Sequence, residues 1–357
     1  MAAPIGDNVV VIANDDDFLT AGYCIPERLP QVLLPTAVRT PGGDISRPIQ
    51  GRQVIDWDQL ETLYAHAFYK QLGWIVGDEG AVLMCEPMMT SRADRERHCQ
   101  TMFESFNVSG YYVAEAPVLS LYGMGKTAGF SVDVGYSVTD VAPVIDGAVA
   151  HAASRRIEIG SRDVTDALVD CLHEKHQQLS EAELNAVRDA VGFVAPSSKA
   201  FNDDTHTASS SYTLPDGNEI AVGGNVRMKC VEQLITGTRD SNHGGVSDAL
   251  LASVSACTAE QRLACLDAIA VSGGWAGGPG ARAGFEQRVV KDLEDALPPS
   301  ARPVPTGTPE HMPPDASRYA SWFGGALLGK IVFAQNHHVT KFEYQENGPG
   351  IVTKAGR

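Results

Sequence analysis

Basic residues are scarce in this chain. Its 357 residues carry 28 lysines and arginines against 44 aspartates and glutamates, a formal charge of -16. A field of that sign repels phosphate backbones and anionic lipid surfaces, so neither nucleic acid nor membrane is expected as a direct partner. Cysteine is sparse and scattered. Cys24, Cys85, Cys99, Cys171, Cys230, Cys257 and Cys265 include no C-x-x-C pair, which leaves no zinc or dithiol redox signature. Isolated thiols suit a reducing compartment, and each is read as a small buried apolar residue. No run of about 18 apolar residues exists to cross a bilayer. The opening MAAPIGDNVVVIAN lacks the basic stretch and apolar core of a secretion signal. A soluble protein of the cytoplasm or cytoskeleton is expected, with the nucleus as the alternative.

The remaining composition is that of an ordinary globular protein, 43% hydrophobic and 20% charged, with length for about two domains. The β-branched run Asn8 to Ala13, the polar break Asn14-Asp15-Asp16-Asp17 and the apolar Phe18 to Tyr23 predict a hairpin with an acidic turn. Val32-Leu33-Leu34 is a short strand ended by Pro35, and Thr40-Pro41-Gly42-Gly43-Asp44 a loop. Trp57 to Leu72 has helical spacing, and Ser91 is placed to cap a charged helix reaching Phe106. Ala81 to Cys85 and Tyr111 to Ala114 read as strands, and Pro117 to Tyr122 opens a helix. Gly129 to Val144 repeats the plan of the first hairpin, and helices and strands alternate to the end, which makes the class α/β. A glycine-rich loop, Ser272 to Gly280, lies between a strand at 268–271 and a helix at 285–297, and Pro298 to Pro314 is a surface connection.

In this order the segments resemble the actin family. Trp57-Asp58 with Phe68-Tyr69, Met102 to Asn107, Tyr112-Val113-Ala114, Val118 to Tyr122, Ser161 to Asp166, Tyr212 to Gly217, Ser272-Gly273-Gly274 with Pro279-Gly280, Trp322 to Gly325, Glu343-Tyr344 and Gly348 to Val352 carry the likeness along nearly the whole chain. The resemblance implies a two-lobed α/β fold, each lobe a mixed β-sheet flanked by helices, around a central cleft. The small lobe would hold 1–123 and 320–357, and the large lobe 124–319. The family's second subdomain would be much reduced near 38–50, where a Thr-Pro-Gly-Gly link replaces the loop that inserts into the next filament subunit.

The resemblance also places an ATP site, and much of it is altered. The family's first hairpin carries an acidic residue, a small turn and a phosphate lysine; here these positions are Ala13, Asp15-Asp16-Asp17 and Thr20. Three carboxylates against a polyphosphate oppose binding, since like charges about 4 Å apart repel by about 1 kcal/mol even in water. The second hairpin keeps Asp133, Gly135 and Thr139 but has Tyr136, Ser137 and Asp140 at positions of an acid, a glycine and a histidine. Ala116 replaces the glutamine that orients the attacking water, which removes the positioned nucleophile. On the nucleoside side Arg188 persists, while Val191 and Gly192 replace a lysine and a glutamate. Trp275 stands where a small polar residue is expected, Gly277 and Gly278 replace a methionine and an aromatic, and Arg318 replaces a lysine on adenine. The remnant cofactor residues are thus Asn14, Asp133, Gly135, Arg188, Gly273, Gly274 and Arg318. No catalytic residue and no metal ligand set is expected. A hard-cation site at Asp15, Asp16, Asp17 and Asp133 is the weaker alternative to plain solvation of that turn. No cofactor is expected beyond weakly held ATP or ADP with magnesium.

The family's partner groove, which takes amphipathic helices, would be lined here by Tyr122, Gly125, Thr127, Leu328 and Ile331, with Leu328 and Ile331 equally well explained as core. His337 and His338 alter its lower rim. The function expected is that of a non-catalytic scaffold subunit with a degenerate nucleotide cleft, in a larger cytoskeletal or chromatin-associated assembly. Its partners would be other proteins of that assembly, actin or another actin-related protein among them. The alternative is an ATP-binding conformational switch with slow or absent hydrolysis.

Overall fold

A computed structural model describes residues 8–39, 43–172, 179–203, 208–237, 244–277, 284–313 and 315–355. The chain separates into two compact units: Met1–Thr127 with Thr308–Arg357, and Ala128–Gly307.

The first unit is built on a six-stranded sheet. Strands β1 (Val9–Asn14), β2 (Phe18–Tyr23) and β3 (Val32–Pro35) form an antiparallel meander, and β1 is also paired in parallel with a later strand, Ala81–Glu86. Between them lie two small antiparallel ladders: β4 (Val38–Arg39) with β5 (Ile45–Ser46), and β6 (Ile49–Gln50) with β7 (Gln53–Val54). The segment read as a bare link thus carries its own strands. Thr40, Pro41 and Gly42 of that loop lie outside the described residues.

Strands β8 (Ala81–Glu86) and β9 (Gly110–Glu115) continue the sheet in parallel, and Val339–Thr340 closes the β9 edge antiparallel. The central strand β1 is buried at four consecutive positions because both faces are covered. Val10 and Ile12 face one hydrophobic cluster with Leu60, Tyr64 and Phe68; Val9 and Val11 face another with Leu119, Trp322 and Phe323. The first layer comes from α1 (Trp57–Ala65) and α2 (Arg92–Gln100). Asp56 and Ser91 cap their N-termini, each side chain accepting a backbone N–H three residues on. Both helices then widen into π-type turns, His66–Gln71 and Thr101–Ser105. The second layer is α3 (Ala116–Gly123) against a later helix, Ala320–Ala334. The two backbones approach so closely that a Cβ at Gly324 would lie 1.8 Å from the Leu119 carbonyl oxygen.

The second unit has a five-stranded sheet. Strands β10 (Gly129–Val134) and β11 (Thr139–Ile145) form its central hairpin. β12 (Ala148–Val149) and β13 (Arg155–Ile157) pair with β11. The helices α4 (Ser161–Cys171), α5 (Glu181–Val191), α6 (Ser198–Asp203), α7 (Gly224–Thr236), α8 (Val246–Ala256), α9 (Ala259–Leu266) and α10 (Phe285–Ala296) surround it. A separate ladder joins β14 (Ser210–Thr213) to β15 (Glu219–Val222), and β16 (Ile269–Ser272) pairs in parallel with β10. One continuous core runs through the unit, crossed by an ion pair: Arg288, 1% exposed, donates to Glu232 Oε1 at 2.6 Å and to Asp292 at 3.0 Å. Six cysteines are buried as expected; Cys171, at the end of α4, is exposed. Among the described residues no helix is long and apolar enough to cross a membrane.

Candidate functional site

The first hairpin turns at Asn14–Asp17, held by the Asp15 N–H donating to the Phe18 carbonyl. Its carboxylates do not stand together in solvent. Asp16 is 2% exposed, and its two oxygens accept the backbone N–H groups of Gly51 (2.9 Å) and Arg52 (2.7 Å) from the turn between β6 and β7. The Asp16 carbonyl accepts from the Thr36 hydroxyl and from Arg47 Nη1. Asp15 pairs with Arg52, whose Nε and Nη2 each lie 3.5 Å from a carboxylate oxygen. This corrects the reading of the turn as solvated charge: Asp16 is buried on backbone donors and Asp15 is paired with Arg52, both within their own unit. Asn14 is turned inward too. Its Nδ2 donates to Tyr64 Oη at 2.5 Å and approaches Met84 Sδ, while its Oδ1 is buried without a partner among the described groups. Thr20, at the position of the phosphate lysine, is 8% exposed on β2. Arg318, half-buried, lies over the Phe18 ring at 5.6 Å and beside Tyr319.

The second hairpin is held differently. Its turn residues Gly135 and Tyr136 offer their carbonyls to the first N–H groups of α4, those of Ser161 (3.0 Å) and Arg162 (2.9 Å). Two of the helix's N-terminal donors are thus satisfied by the hairpin's backbone. The approach demands glycine at 160, where a Cβ would stand 2.4 Å from the Tyr136 oxygen. Asp140, at the position of the family's histidine, is 1% exposed and forms a two-point ion pair with Arg156 of β13, at 2.6 and 2.7 Å. Gly273 follows β16 with φ of +101°, and a Cβ there would meet Asp133 Oδ1 at 2.3 Å. Asp133, Gly135, Gly273 and Gly274 therefore form one neighbourhood at the ends of β10 and β16.

Arg188 is consumed by its own unit. At 5% exposure its Nη1 donates to the Ser161 carbonyl, Thr165 Oγ1 and Asn185 Oδ1, and its Nε to Asp189. Trp275, 2% exposed, packs within the core 5.3 Å from the guanidinium and edge-on to Phe285. Gly278, Pro279 and Gly280 lie outside the described residues. Among the described residues no group of three or more His, Cys, Asp and Glu is placed to hold a metal.

All five groove residues lie in the first unit. Tyr122 and Leu328 are half-buried against the core shared by α3 and α11 (Ala320–Ala334). Ile331 is 53% exposed, and Gly125 and Thr127 are exposed. His338 is buried against the Phe333 ring, which lowers its pKa by desolvation, while His337 faces solvent. Arg52 and Arg156, the ion-pair partners of Asp15 and Asp140, were not singled out from sequence. No sequence signal pairs them: Arg52 and Asp15 lie 37 positions apart, and Arg156 is one of two adjacent arginines.

These arrangements sit on a chain that belongs to the actin family, whose family model ("Actin") matches residues 34–356. Among the curated relatives it resembles are actin-related proteins. It is 34% identical to Actin-related protein 7 of Oryza sativa (subsp. indica and subsp. japonica), covering 97% of this chain and 98% of the relative. It is 33% identical to Actin-related protein 7 of Arabidopsis thaliana, over 96% and 98%.

Proposed function

We propose that this chain is a non-catalytic, structural member of the actin family that serves as a scaffold subunit in a larger protein assembly, cytoskeletal or chromatin-associated, without cycling on ATP. The observation that carries this reading is the state of Arg188. The guanidinium that would face a nucleoside spends its donors on Ser161, Thr165, Asn185 and Asp189, and Trp275 is buried against it. For this guanidinium to face a nucleoside it would have to give up several charge-assisted hydrogen bonds, each about 1.5–3 kcal/mol. The contacts made by Arg188, and those made by Asp15 and Asp16 in the other unit, support the reading that this chain does not depend on ATP. Ala116, 8% exposed, offers nothing to orient water.

Partners are then other proteins, with actin or another actin-related protein as candidates. The exposed Ile331 beside Leu328 offers them an apolar foothold on α11. Location follows the assembly, cytoplasmic or nuclear. Sedimentation in salt with Mg-ATP tests the reading alongside a phosphate-release assay. A monomer or small complex with no phosphate release is expected; steady release, or long filaments, would overturn it in favour of a nucleotide-driven switch.

A further inference from the structure

We infer that the Gly51–Arg52 turn is a built-in latch on the first hairpin, a contact that keeps the Asp15–Asp17 turn closed by the chain's own groups. The inference deepens the reading above and rests on the same turn being no phosphate cradle.

The chemistry is an inversion of polarity. An anion-binding turn presents N–H donors outward. Here the turn presents a carboxylate, and another segment supplies the donors. Asp16, 2% exposed, takes one N–H on each oxygen, from Gly51 at 2.9 Å and Arg52 at 2.7 Å. Those two amides point the same way because Gly51 and Arg52 both have positive φ, 57° and 61°, the geometry of a two-residue turn between paired strands. An arginine accepts that conformation at a cost. It is compensated by the placement of its side chain, 8% exposed, against Asp15 at 3.5 Å. Thr36 adds a third tie: its N–H donates to the Asp17 carbonyl and its hydroxyl to that of Asp16. Asp16 thus ties the tip of the β6–β7 ladder to the hairpin turn, while Ile49 and Val54 seat the ladder's base in the core. An anion entering the turn must displace Asp16 and free the Gly51 and Arg52 amides, so order at the ladder's tip reports directly on the state of the turn.

Hydrogen exchange read residue by residue tests the latch. In the wild type the Gly51 and Arg52 amides should be protected. Asp16→Ala should accelerate exchange across 49–54 by at least tenfold while leaving β10–β11 unchanged. Asp16→Asn, which keeps one acceptor oxygen, should free one of the two amides and serves if the alanine variant does not fold. Arg52→Gly suits φ of 61°, retains both N–H donors and should keep the Asp16 tie. Wild-type exchange at 49–54 in Asp16→Ala or Asp16→Asn would overturn the latch, as would equal loss in Arg52→Gly and Asp16→Ala. ATP bound by the wild type with loss of this protection would sink the scaffold reading and leave the latch standing; ATP bound with the protection unchanged would overturn both.

Discussion

The two hairpins share a plan and differ in how their turns are held. Both are antiparallel pairs with a parallel strand beside the first member, β8 beside β1 and β16 beside β10. At the first turn the side chain is the acceptor: Asp16 takes N–H groups from a neighbouring turn. At the second the backbone is the acceptor: Gly135 and Tyr136 carbonyls take N–H groups from the start of α4. The first therefore depends on side-chain carboxylates, Asp16 foremost, and the second on one glycine and a helix end. Charge placed in a turn can serve as structure when donors lie close enough, so counting acidic residues says little about what they repel.

The largest effect expected from breaking this comparison falls in the second hairpin. Asp140→Ala leaves Arg156, 15% exposed, without its partner. A loss of about 3–5 kcal/mol is expected, read as a lowered thermal midpoint, and a shift below 1 kcal/mol would mean that the pair is solvated.

A second effect belongs to the first unit. His98, 6% exposed between Trp57 and Tyr64, has its pKa pushed down to about 4 by desolvation, against a minor opposing pull from Asp94. With the folded pKa below the unfolded value of about 6.5, the unfolded chain takes up the proton first as pH falls. Stability should therefore be independent of His98 above about pH 6.5 and fall between there and about 4, by up to about 3 kcal/mol. Denaturation at a series of pH values checks this, and His98→Phe should flatten the profile; an unchanged slope would contradict it.

A third effect is smaller. Asp16→Ala strands two N–H groups and should cost about 2 kcal/mol confined to the first unit, whereas Gly160→Ala should disturb only the second. Coupled loss in both units would erase the distinction between the two turns.

Much of this was legible in the sequence and some was not. The period-2 and 3.6 patterns located the hairpins, the Ser91 cap and the strands at Ala81 and Tyr111, because burial on both faces of β1 and β8 leaves long β-branched or apolar runs. The actin resemblance is carried by ordered motifs and is matched by the family comparison. The π-type ends of α1 and α2 left no sequence mark. Asp16 and Arg52 are 36 positions apart, Asp140 and Arg156 16, and neither separation reveals a partner without the register of the strands. Arg188 was legible as a retained family residue, but its use by Thr165 and Asn185 depends on how α4 meets α5.

The central claim is that these residues serve the fold in place of a nucleotide, and calorimetric titration of the full chain with Mg-ATP tests it most directly. A ligand bound only to the folded state at a hundredfold excess over Kd would also stabilise it by about 2.7 kcal/mol. The account predicts no saturable heat and no thermal shift at millimolar Mg-ATP; saturable binding at micromolar Kd would contradict it.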